Sequence, residues 1–121
     1  MESEKIRKQL QQLISNFEEE LQSGNLRRKV LALIPCFHHL RDLGKSLIPS
    51  TIARSARDRI LHYFLKYPGV IISGDELLVV SGIQEYARRV RELKVQFGWS
   101  IVSGLTAGAN PFCRTLNFIV Q

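Results

Sequence analysis

Two stretches of helical periodicity, each too short to be stable alone, meet at Ser81-Gly82-Ile83, and that junction leaves few folds open to the chain. The first stretch follows Ser73-Gly74-Asp75-Glu76, whose S-x-x-E spacing is that of a capping box, and predicts a helix of about 74–80. The second reads QEYARRVRELKVQF, with Ile83, Tyr86, Ala87, Val90, Leu93 and Phe97 at helical steps, and predicts a helix over 84–97 stopped by Gly98. Short helices joined by a tight glycine turn must bury their apolar sides against other elements.

The flanking sequence supplies those elements. Ala53 to Tyr67 carries Ala56, Ile60, Leu61, Phe64 and Leu65 on one helical face and ends at Pro68-Gly69. Val70-Ile71-Ile72 is a short β-branched run, read as a brief strand. After Gly98, Trp99–Val102 and Thr115–Val120 alternate as half-buried strands around the Gly-rich segment SGLTAGANPFCR, which predicts a hairpin with a long tip. Helix, strand, helix, glycine turn, helix and hairpin is the order of a winged helix-turn-helix, in which the last helix enters the major groove and the hairpin is the wing.

Two further helices are expected upstream. Ile6, Leu10, Leu13, Ile14, Phe17 and Leu21 form a narrow apolar stripe over residues 4–22, and Ser23-Gly24-Asn25 stops that helix and caps the next. The second helix begins near Leu26, with Val30, Leu31, Ile34, Phe37 and Leu40 at helical spacing and a kink or restart expected at Pro35. Ser46 to Thr51, around Pro49, reads as a linker. The expected fold class is therefore mainly α with a small β-hairpin. Residues 1–50 form an N-terminal helical extension and residues 51–121 a winged helix-turn-helix domain.

Charge points to the partner. Seventeen Lys and Arg against eleven Asp and Glu give +6 over 121 residues, which favours polyanions, nucleic acid first. On a helical wheel the apolar side of 84–97 leaves Gln84, Glu85, Arg88, Arg91, Glu92 and Val95 outward, with Arg89 and Lys94 at the margins. Arg can pair with guanine O6 and N7, Gln with adenine N6 and N7, and Glu with cytosine N4. The helix start reaches deepest, so Gln84, Glu85 and Arg88 are the base-reading candidates and Arg91 and Lys94 the phosphate contacts. Thr106, Asn110 and Arg114 of the wing are candidates for clamping the DNA backbone. Against this stands a plain solvated face, in which Glu85 with Arg88 or Arg89, and Arg88 with Glu92, pair along the helix. Arg27-Arg28-Lys29 is either an added phosphate contact or a solvated helix start.

From Ser55 to Val102 the chain resembles winged-helix modules attached to prokaryotic restriction endonucleases, some of them modification-dependent. SARDRILHYF, the apolar strand leading into SGDELLVVSGI, and YARRVRELKVQFGWSI with its Val90-Arg91-Glu92-Leu93 core carry the resemblance. It implies a double-stranded-DNA-reading role beside a separate nuclease domain, with specificity on Gln84, Glu85, Arg88 and Arg91, and sensing of modified cytosine among the functions. No PD-x(n)-E-x-K or H-N-H pattern can be assembled, so the chain is read as non-catalytic, a fragment or a stand-alone relative of such an enzyme. An autonomous dimeric transcriptional regulator and a protein-interaction winged helix are the alternatives.

No cofactor or metal is expected. Cys36, His38, His39 and distant Cys113 fit no common zinc spacing, and adjacent histidines on a helix point about 100° apart. Both cysteines read as reduced, near-core thiols. His62, Ser55, Ser73 and the carboxylates Glu18–Glu20 and Asp75-Glu76 have structural readings, and Trp99 reads as an anchor of the hairpin before a base-stacking group. The start MESEKIRKQL has no signal-peptide core, and no stretch is apolar enough to span a membrane, so a cytoplasmic protein is expected. The N-terminal helices are candidates for homodimer formation.

Overall fold

The computed structural model describes residues 2–105 and 116–120. Among them are five helices and three strands: α1 (Glu2–Leu21), α2 (Leu26–Ser46), α3 (Ala56–Lys66), β1 (Ile72–Ser73), α4 (Gly74–Ser81), α5 (Tyr86–Val95), β2 (Ile101–Leu105) and β3 (Leu116–Val120). This is the mainly helical architecture with a small sheet that the periodicities call for. The chain divides into two units, Met1–Leu47 and Ile48–Gln121.

In the first unit α1 and α2 form a helical hairpin. Asn25 caps α2 by accepting from the Arg28 N–H at 3.2 Å, and the Ser3 and Ser46 hydroxyls lie 2.8 Å apart at the opposite end, which fixes the register. Arg28 also pairs with Glu20 at 2.7 Å. Pro35 does not restart the helix: α2 runs through it from Leu26 to Ser46. Proline costs one hydrogen bond but leaves the rest of a long helix intact. Cys36 is buried, as expected of a packed thiol, and Cys113 lies outside the described residues.

The second unit holds the hydrophobic core, built from Ile60 and Phe64 of α3, Ile72 of β1, Leu77 of α4, Val90 and Leu93 of α5, Ile101 of β2, and Phe118 and Val120 of β3. Phe64 meets Phe118 edge to face, ring centroids 6.2 Å apart. The expected hairpin strands are part of a three-stranded antiparallel sheet of order β1-β3-β2, with Ile72 opposite Phe118 and Ile101 opposite Val120. The brief strand expected at Val70–Ile72 is shifted to Ile72–Ser73. Val70 and Ile71 are exposed, and only Ile72 turns inward to pair beside Phe118.

The N-terminus of α4 is the capping box the sequence predicts. The Ser73 hydroxyl accepts from the Glu76 N–H at 3.2 Å, and the Glu76 carboxylate accepts from the Ser73 N–H at 2.7 Å. Its other oxygen accepts from the Tyr63 hydroxyl at 2.7 Å, tying α4 to α3. Burial opposes ionisation of Glu76, but the bonds from Ser73 and Tyr63 outweigh it and hold the carboxyl below its ordinary value. Acceptance by Glu76, with burial, pushes the Tyr63 phenol up to about 12.

The signs fix a stability plateau. Glu76 adds stability that is present above the unfolded value of 4.5 and is lost as pH falls through its lower folded value. Tyr63 adds stability that is present below 10.0 and is lost as pH rises through about 12. Urea midpoints measured across pH should therefore decline on both sides of this plateau. Glu76→Gln should weaken the acid limb and Tyr63→Phe the alkaline one, and unchanged limbs would contradict the bonding scheme.

Candidate nucleic-acid interface

The junction between α4 and α5 is assembled from three residues. Gly82 takes φ 72°, a left-handed conformation that glycine adopts without steric cost, and its N–H closes α4 on the Leu78 carbonyl at 2.9 Å. The Ser81 hydroxyl lies 3.2 Å from both the N–H and the carbonyl of Ile83. Arg59 reaches across from α3 and donates to the carbonyls of Val80 at 3.0 Å, Ser81 at 2.7 Å and Arg54 at 3.0 Å, while being only 6 % exposed. Burial pushes its guanidinium below the ordinary arginine value, opposed by Asp58. Here a buried cation neutralises the negative end of a helix.

Arg59 is the residue that the sequence reading passed over. Its signal is weak, since position 59 lies about 40° outside the arc that Tyr63, Ala56, Ile60 and Phe64 span on α3.

Helix α5 is shorter than 84–97. It spans Tyr86–Val95, because Gln84 and Glu85 are consumed in the turn after Gly82 and Glu85 caps α5 without a side-chain bond. At the other end Gly98, φ 70°, turns the chain so that the Trp99 N–H meets the Leu93 carbonyl at 3.0 Å. That reversal leaves Phe97 outside the helix and exposed, not on the core face where periodicity put it. Position of the α5 start is set by a close approach: a Cβ on buried Gly74 would stand 2.5 Å from the Tyr86 hydroxyl oxygen.

Val90 and Leu93 are buried, whereas Gln84, Glu85, Arg88, Arg91, Lys94 and Val95 are exposed. The Arg88 side chain is 66 % exposed. Glu92 departs from its expected outward place, with its side chain only 17 % exposed. It accepts from Arg89 at 2.7 and 2.9 Å and lies 3.7 Å from Arg57 and 3.9 Å from Arg88. Three guanidiniums crowd around this one carboxylate, which shields it. Arg89 is thus engaged within the chain. Arg57, which the sequence reading did not single out, also stacks on Phe97, its guanidinium carbon 4.6 Å from the ring centroid. Thr106, Asn110 and Arg114 lie outside the described residues.

Chemically, the face offers guanidinium and amide donors beside a shielded carboxylate, suited to phosphate and base-edge acceptors. Among the described residues no three His, Cys, Asp or Glu side chains are placed to share a metal ion, and no helix is long and apolar enough to cross a membrane. Trp99 is partly exposed beside this end of α5.

No curated protein and no solved structure matches the chain significantly. Residues 57–111, which run from the start of α3 past β2, match a family model described as the KpnI N-terminal domain. The match links the part of the chain that contains the α4–α5 junction to the N-terminal region of a restriction endonuclease.

Proposed function

We propose that residues 48–121 form a winged helix-turn-helix module that binds double-stranded DNA, as the specificity or accessory part of a restriction-type nuclease. The observation that carries this reading is the outward side of α5, where Arg88 and Arg91 stand exposed while Val90 and Leu93 anchor the opposite side in the core. The match to the KpnI N-terminal domain over 57–111 supports the restriction context. In this reading Gln84, Glu85 and Arg88 meet base edges, and Arg91 and Lys94 meet phosphates. Arg89 contributes from the margin through its bond to Glu92, and the segment with Thr106, Asn110 and Arg114 serves as the wing.

Fluorescence anisotropy with a duplex selected from a random pool, with and without cytosine methylation, tests it. Binding should weaken steeply with salt, and Arg88→Ala should lose about 1–3 kcal/mol on the selected site. Arg88 is a solvent-exposed side chain, so its removal should leave the urea midpoint nearly unchanged. Equal affinity of the variant and the parent chain, or binding indifferent to salt, would refute the assignment.

A further inference from the structure

The helical hairpin carries more apolar surface than one hairpin can cover. On α1 the line formed by Ile6, Leu10, Leu13 and Phe17 is half-buried, yet Ile14 and Leu21 beside it are exposed; on α2 the covered line runs through Ala32, Leu33, Cys36, His39 and Leu43. On α2, Val30, Ile34, Phe37 and Leu40 are exposed, Phe37 by 71 %. At 100° per residue these four span an arc of about 120°. Ile14 and Leu21 of α1, and Val30, Ile34, Phe37 and Leu40 of α2, lie on the same rotational side of the half-buried line of their helix, while Leu31, also exposed, lies on the other side of α2. Because the two helices are antiparallel, both sets open on one side of the hairpin. A face two helices wide and about 30 Å long would bury on the order of 1,200 Å² between two copies, the lower end of stable interfaces.

Charge selects the occupant. Helix α1 carries five acidic and three basic residues, and α2 five basic and one acidic. A second hairpin related by a two-fold axis parallel to the helices places α1 beside the partner's α2, with the turn ends together. An axis across the helices would set basic α2 against basic α2. In the first arrangement Glu18 and Arg27, both at the turn end and at the rim of the open face, come together between copies. Neither has an ion-pair partner in its own chain among the described residues.

We propose that two copies of this chain associate through the open α1–α2 face into a four-helix bundle, with α1 of one copy beside α2 of the other. The association is independent of any DNA binding by residues 48–121. Sedimentation of the full chain without DNA at ~100 µM should give twice its 13.8 kDa. Val30→Asp combined with Phe37→Asp should return it to a single copy while circular dichroism keeps the helical signal. Glu18→Arg or Arg27→Glu alone should weaken association about threefold to tenfold, and the two together should restore it. A single-copy mass for the parent chain, a doubled mass that survives the double aspartate variant, or a charge swap without recovery would overturn the proposal.

Discussion

Arg59→Met should remove about 3–5 kcal/mol from the stability of residues 48–121, read as a fall in the urea midpoint with the slope unchanged. The side chain is buried, and its three donors satisfy the Val80, Ser81 and Arg54 carbonyls. Methionine fills similar volume but offers no donor, and each buried carbonyl left unpaired costs about 1–3 kcal/mol. Arg59→Lys should recover only part of the loss, since one ammonium cannot reproduce the forked geometry that reaches three separate oxygens. A midpoint within error of the parent would mean that water replaces the guanidinium at the end of α4. Loss of the junction should also lower DNA affinity on the reading above, even though Arg59 itself cannot touch DNA.

Phe64→Ala should cost about 3–5 kcal/mol, the range for emptying a fully buried aromatic site. Phe64 is wholly buried at the centre of the core and packs on Phe118 of β3, so the substitution removes the contact that joins α3 to the sheet. Stability of about 0.05–0.15 kcal/mol per residue leaves little for a unit of this size once that is subtracted. The variant is therefore expected to be largely unfolded near 37 °C by near-ultraviolet circular dichroism. A cooperative transition close to that of the parent would show that the sheet and α3 hold their places without the aromatic pair.

The two results bear on what could be read from residues alone. Alternation and helical spacing located each element because burial imposes those periods, and the capping box at Ser73 and Glu76 is local chemistry that any context would preserve. The ends of α5 were not legible. Whether Gln84 and Glu85 belong to helix or turn depends on how far the chain must travel after Gly82 to bring Tyr86 against Gly74, a tertiary constraint. Phe97 matched the apolar period but falls after the helix has ended, where Arg57 covers it. Glu92 looked like one more surface carboxylate, because nothing near it in sequence reveals that Arg57 of α3 closes over it. The long-range partners Arg57 and Arg59 have no pattern of their own, since both sit at the margins of the apolar arc of α3.

The carboxylate of Glu92 has a thermodynamic corollary. Guanidiniums that already lean on a common anchor occupy fewer rotamers than free ones, so a polyanion docking on this surface forfeits less side-chain entropy than it would on a lawn of independent arginines. The same anchor sets a toll in the other direction. Every ligand acceptor that recruits Arg88 must first compete with an internal anion, and a weakly charged ligand would lose that contest.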